Sequence, residues 1–251
     1  MQIKKEEKLK ILVFSLCTFI AVFVGVICGF SLNNLKNDSK KLPDELKKST
    51  NILLVFLDGS KKEADGIFAV TLDPKANKIE LDDIPRTLKA TYDGTENTLR
   101  DVYSENGAEA LKECIESEKN IKFDKYICTG KDLLEKAVNT TGDISADFKG
   151  AVSFSQNGEN FSFENGENLL NPVQFSLCFA YLCRDGVKKD NKSELLKSFF
   201  KRLSGADFAP WQKKEFLNIV KQSKTDIASY DFDDLAKIFS SMDNAEITVK
   251  Q

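Results

Sequence analysis

The chain contains no histidine. That absence removes the commonest general base and metal ligand, and with them the Ser-His and Cys-His arrangements of nucleophilic catalysis. A bound metal would rest on carboxylates, which points to Mg2+ or Ca2+ and away from Zn2+. Arginine is scarce: Arg86, Arg100, Arg184 and Arg202 stand against 32 lysines. Either arginine is kept where a planar fork is needed, or a lysine-leaning composition simply leaves few behind. The six cysteines form no CxxC pair. Cys114, Cys128, Cys178 and Cys183 lie in apolar contexts, so buried free thiols are expected rather than a disulfide scaffold. The net charge is −3, which argues against a nucleic-acid partner.

Charge is also missing from residues 11–35, which Lys10 and Lys36 bracket. Ile11 to Phe30 is apolar and 20 residues long. A helix rising about 1.5 Å per residue needs about 20 such residues to cross a bilayer core. The run is longer than a cleaved signal's apolar core and lacks a small-residue exit, so an uncleaved anchor is expected. The expected organisation is a cytoplasmic tail (1–10), a transmembrane signal-anchor (11–32), a lysine-rich stalk (33–50) and an extracytoplasmic domain (51–251). The protein would then sit in the cell membrane as a single-pass chain, with its bulk outside.

Within the domain, the short apolar runs 51–57, 66–73 and 78–84 read as strands, and 123–129 as another. Residues 152–163 read as a hairpin around a SQNGEN turn. Helical spacing appears over 106–118, 131–138, 193–203 and 232–242. Pro172 and Pro210 suit first turns of helices reaching Cys183 and Val220. Residues 246–250 close the chain as a strand. Strands mixed with helices, then helices and a late strand, predict a three-layer α/β/α domain with a mixed central sheet.

Asp58 ends the first strand, Asp65 precedes the second and Arg86 follows the third. If these strands are neighbours, two carboxylates and a guanidinium meet at strand ends, where open α/β sheets bind ligands. Two carboxylates can hold one Mg2+, and the arginine fork matches phosphate, so the set suits a pyrophosphate. Asp58-Gly59 and Asp65-Gly66 are also turn dipeptides, and spacing alone leaves plain loop residues open. The chain has 19 phenylalanines. Phe175, Phe179, Phe199 and Phe200 fall at helical spacing, which suits either core packing or an apolar tunnel for a lipid chain.

From residue 51 onward the sequence resembles the LytR-CpsA-Psr family of Gram-positive cell envelopes. NILLVFLDGS and ADGIFAVTLDPKANKIELDDIPR place Asp58, Asp65 and Arg86 on the family's two aspartates and its Ile-Pro-Arg arginine. TLRDVYSENGAEALKECIE resembles the family's Lys-Ile-Asn-x-Ala-Tyr-x-x-Gly-Gly segment and the helix after it, with Tyr103 and Gly107 on its tyrosine and glycine. FDKYICTGKDLLEKAVNTTGDI, SFENGENLLNPVQ and SKTDIASYDFDDLAKIF are similar to later segments. Ser60 and Lys61 stand where the family has an arginine. Arg184 and Lys188 stand for members of its second arginine cluster, and Asn191, Lys192 and Ser193 replace the rest. The resemblance implies a transferase that moves glycopolymers from a polyprenyl-pyrophosphate carrier onto peptidoglycan, with Mg2+ at the pyrophosphate. It implies catalytic roles for Asp58, Asp65 and Arg86, metal ligation by Asp58 and Asp65, and substrate contacts for Arg100, Arg184 and Lys188. The alternative is a catalytically degenerate member that binds lipid-linked glycan or regulates envelope assembly.

Overall fold

The unbroken apolar run Ile52 to Leu57 in β1 (Thr50–Leu57) decides the architecture, because it means that both faces of the strand are covered. A computed structural model describes residues 42–156, 158–184, 187 and 189–250. After a short 3-10 helix (Asp44–Lys47) come β1, β2 (Ala64–Asp73), β3 (Lys78–Ile84) and the small hairpin β4 (Lys89–Tyr92) and β5 (Thr95–Thr98). Helix α1 (Leu99–Lys119), β6 (Lys125–Gly130), α2 (Lys131–Thr141) and β7 (Ile144–Phe148) follow. A second hairpin, β8 (Val152–Gln156) and β9 (Glu159–Phe163), leads to β10 (Gly166–Leu170) and α3 (Pro172–Leu182). The chain ends with α4 (Lys189–Leu203), α5 (Pro210–Gln222), β11 (Lys224–Thr225), α6 (Ser229–Ser241) and β12 (Glu246–Lys250).

The six-stranded sheet has the order β11-β6-β1-β2-β3-β12. β1 pairs with β6 in parallel and with β2 antiparallel, and β3 pairs with β12 in parallel. Four strands therefore run one way and β2 and β11 the other, the mixed central sheet expected. The edge where β1, β3 and β6 finish is their carboxyl edge; the opposite one is the amino edge.

Odd-numbered β1 residues Leu53, Val55 and Leu57 pack into a buried core with Ile67, Tyr126, Cys128 and the α1 residues Leu99, Val102, Leu111 and Ile115. Even-numbered Ile52, Leu54 and Phe56 face the other way, toward α2, α3, α5 and α6. There the packing leaves a cavity of about 200 Å3 lined almost wholly by apolar side chains, including Phe175, Phe199, Phe216 and Phe239. Of the helically spaced phenylalanines, Phe175, Phe179 and Phe200 are buried in the core, and all three border the cavity.

Helix α6 spans the amino edge. Asp231 at its start pairs with Lys125, the first residue of β6, at 2.8 Å. Just past its end, the Asp243 carbonyl accepts from Asn77 Nδ2 ahead of β3 at 2.9 Å. Its residues Phe232, Leu235 and Phe239 wall the cavity at that edge.

The structure departs from the sequence reading in several places. Helix α1 starts at Leu99, a full seven residues before the expected 106, and absorbs a break at Gly107, whose φ of 86° an L side chain rarely adopts. Strand β1 begins at Thr50, inside the expected stalk. The structure adds two strand pairs, β4–β5 and β7–β10, that the apolar pattern does not mark. The four cysteines of the domain are free and buried, as expected. The expected anchor at 11–32 lies outside the described residues. Among the described residues, no helix is long and apolar enough to cross a membrane.

Candidate phosphate site

The antiparallel register of β2 on β3 builds the site. Ile67 stands opposite Ile84. Continuing that register two residues outward sets Asp65 against Arg86. On its other side β2 bulges against β1: Phe56 pairs with Gly66 and Leu57 with Ala64, so Asp65 is the extra residue. A bulge re-aims the side chain it carries and is common beside active sites. Arg86 Nη1 reaches Asp65 Oδ1 at 2.6 Å, with the two side chains only 11% and 23% exposed. Burial pushes the Asp65 carboxyl above its ordinary range; Arg86 opposes this, while the charges of Asp58 and Glu63 add to it.

Asp58 plays a different part. Its Oδ1 accepts from the backbone N–H groups of Lys62 (2.9 Å) and Glu63 (3.0 Å). Its Oδ2 accepts from the Ser60 N–H (3.0 Å) and the Ser60 hydroxyl. A carboxylate offers about four lone-pair sites, and the loop fills them. Burial alone would raise this group, but the Ser60 hydroxyl and the three amides outweigh it and draw it down to about 2. A carboxyl depressed in the folded state contributes stability that is present above its unfolded value and lost as pH falls through the folded one. That window runs from about pH 4 to about pH 2. In urea titrations at stepped pH, Asp58→Asn is expected to flatten the fall in stability across this window and to be less stable at neutral pH.

Arg100 is brought in by its backbone, whose N–H donates to the Arg86 carbonyl at 3.0 Å. Its Nε lies 3.5 Å from Glu63 Oε2, the residue that Asp58 fixes. Arg86, Arg100, Asp65 and the Asp58 loop therefore converge at the carboxyl edge. Arg184 goes elsewhere: Nη2 donates to Gln156 on β8 at 3.1 Å, and the guanidinium lies 5.7 Å from the Tyr181 ring centre. Its partners are those of the hairpin side, not the two aspartates. Lys188 lies outside the described residues.

A second cation was not singled out from the sequence. Lys192, in the first turn of α4, is buried with its Nζ 2.7 Å from Asp83 Oδ2 and 5.4 Å from the Phe68 ring centre. Asp83 Oδ2 takes no hydrogen bond, so the contact is an ion pair without hydrogen-bond direction. The buried Cys183 thiol feels Lys192, Asp83, Asp65 and Arg86 together, which places this pair beside the first. Burial pushes that thiol up to about 12, so it is inert at neutral pH. Packing is close here: a Cβ added to Gly66 would lie 2.8 Å from Phe68 Cε2 and 3.0 Å from Cys183 Sγ. A signal for Lys192 existed, since it precedes Leu195 and Leu196 by three and four residues and so continues the apolar face of α4.

The donors around the site are sparse for Mg2+. No group of three or more acidic, cysteine or histidine residues placed to hold a metal exists among the described residues. Asp58 is committed to its loop, whereas Asp65 is paired with Arg86 at the carboxyl edge. Mg2+ is commonly held by one or two carboxylates plus substrate phosphates and waters, and Asp65 fits that minimal role.

The domain is thus a mixed-sheet α/β fold that pairs a carboxylate with a guanidinium at its carboxyl edge and holds an apolar cavity on one face of the sheet. The LytR_cpsA_psr family profile matches residues 30–180, and the chain belongs to that family. It is 26% identical over 195 residues to the polyisoprenyl-teichoic acid–peptidoglycan teichoic acid transferase TagV of Bacillus subtilis, covering 71% of this chain and 50% of TagV. The chain thus spans about half the length of that relative. The crystal structure of B. subtilis TagV superposes with a TM-score of 0.65 at 22% identity, covering 81% of this chain and 84% of that one. A structure of TagT bound to LI-WTA superposes at 0.61 and 15% identity, covering 84% and 81%.

Proposed function

We propose that this chain is a membrane-anchored glycopolymer transferase acting outside the cell membrane on a polyprenyl-pyrophosphate carrier, with peptidoglycan as acceptor. The observation that carries this reading is the Asp65–Arg86 pair at the edge of a sheet whose even-numbered β1 face borders an apolar cavity. A diphosphate joined to a long hydrocarbon needs those two environments side by side. Arg86 binds the phosphate that departs with the polyprenyl chain, and Arg100 adds charge at the rim. An acceptor hydroxyl attacks the phosphorus that carries the glycopolymer. A new P–O bond forms, the bond to polyprenyl phosphate breaks, and the hydroxyl proton passes to Asp65. A carboxyl raised above its ordinary range is the better base for that proton. Bound Mg2+, held by Asp65 and the substrate phosphates, would supply further charge to the diphosphate. Asp58 holds the loop that positions Glu63 and Arg100.

A second reading has its own observation. Lys192, beside the site, is already neutralised by Asp83, so the second cluster offers a diphosphate less free charge than an arginine pair. On that reading the chain binds lipid-linked glycan without turning it over. Transfer of labelled glycopolymer from its polyprenyl-pyrophosphate carrier to peptidoglycan, with and without Mg2+, separates the two. Turnover that Asp65→Ala abolishes supports the transferase. Binding without turnover, indifferent to Asp65→Ala, replaces it with the binder.

The cavity yields an independent check. Ala137 is buried on α2 and lines the void. Ala137→Phe is expected to leave the melting temperature unchanged or raise it by a few degrees, because the added ring fills empty space. The same change is expected to weaken binding of a polyprenyl phosphate by at least about tenfold, or about 1.4 kcal/mol. Unchanged affinity measured by calorimetry would remove the cavity from the carrier's path.

A further inference from the structure

Among the described residues, the exposed large apolar side chains are Leu169, Val173, Trp211 and Tyr230. They come from four different elements, yet all four lie at the amino edge. Tyr230 precedes Asp231, which pairs with the first residue of β6. Trp211 opens α5, where its neighbour Gln212 donates to the Thr140 carbonyl at the end of α2. Helix α2 leaves the carboxyl edge after Gly130, so its end lies at the opposite one. Leu169 stands opposite Ser145 at the start of β7, just past α2. Val173 is in the first turn of α3, whose other end brings Cys183 against Gly66 at the carboxyl edge. The described chain begins at this same edge, since the 3-10 helix Asp44–Lys47 leads into β1 and packs on α6.

We propose that the amino edge docks on the headgroup–acyl boundary of a lipid bilayer, with Trp211 and Tyr230 as interfacial anchors and Leu169 and Val173 as shallow apolar contacts. This rests on the membrane-anchored reading above. Trp and Tyr favour that boundary because their rings are apolar and their polar atoms stay wet. Side chains at the tips of separate elements suit a broad flat partner better than a groove-seeking peptide. Residues 31–41 join the apolar run to this edge and can span at most about 40 Å, which keeps the edge within reach of the bilayer. Nearby charge is of both signs: Lys213 and Lys214 are exposed beside Trp211, and Asp233 is exposed on α6. Docking is therefore aromatic rather than electrostatic and needs no anionic lipid.

The test uses the chain's single tryptophan. The full chain is reconstituted into phosphatidylcholine vesicles with or without lipids brominated high on the acyl chain, and flotation is measured on the same samples. Co-flotation with Trp211 emission quenched by about a third or more, at the shallow depth of interfacial helices, supports the proposal. Quenching that needs phosphatidylserine or vanishes in high salt overturns the aromatic mechanism. Co-flotation with emission untouched by brominated lipid overturns docking, leaves the anchor reading standing and gives the patch to a protein partner. Failure to float removes the anchor reading and the proposal with it.

Discussion

Arg86→Ala is expected to lower glycopolymer transfer by about two orders of magnitude, the scale of losing one fixed charge at a developing oxyanion. The guanidinium is 11% exposed and held by Asp65, so it is oriented before substrate arrives. Arg86→Lys keeps the charge but loses the planar fork and should restore only part of the rate. The pH profile carries a second signature. Burial raises Asp65 and Arg86 counteracts it, so removing the guanidinium raises the carboxyl further. Activity that needs ionised Asp65 falls as pH drops through its titration, and that acid limb must move to higher pH in Arg86→Ala. A loss smaller than about threefold would remove the charge role assigned to Arg86. An unmoved limb would remove Asp65 as the titrating group.

Lys192→Met is expected to destabilise the fold by about 3–5 kcal/mol, because it strands a buried carboxylate. Asp83 is 4% exposed, and its Oδ2 has no hydrogen bond to fall back on. For a chain of this size that loss lowers the melting temperature by roughly 10 °C. Adding Asp83→Leu to Lys192→Met should recover most of it, since a buried ion pair is often no better than apolar residues of similar volume. The four-member mutant cycle, measured by urea unfolding, isolates the coupling between the two side chains. A single-mutant loss below about 1 kcal/mol would show that water reaches Asp83 and that the pair is not sealed.

These two pairs were not equally visible in the sequence. The runs that form β1, β2 and β3 are continuous and apolar, and their order made Asp58, Asp65 and Arg86 a set. Their true relation came from register, which pairs Asp65 with Arg86 and turns Asp58 inward on its own loop. No spacing rule shows that a carboxylate will spend its lone pairs on the next five residues. Lys192 is hidden because the apolar spacing starts at Ser193, whereas α4 starts at Lys189 and buries Asn191 and Lys192 ahead of it. The strands β4, β5 and β10 (KATY, TENT, GENLL) are short and polar, so neither alternation nor apolar length marks them. The start of helix α1 is concealed because LRDVYSEN is mostly polar, although Thr98 caps it by accepting from the Asp101 N–H.

The unequal packing of the two β1 faces also sets how the molecule answers hydrostatic pressure. The layer over α1 is a continuous cluster of buried side chains, while the opposite layer holds a cavity of about 200 Å3. Unfolding abolishes that void, so compression favours the open chain. A hydrocarbon tail lodged in the void would cancel the advantage, making resistance to squeezing a label-free gauge of occupancy.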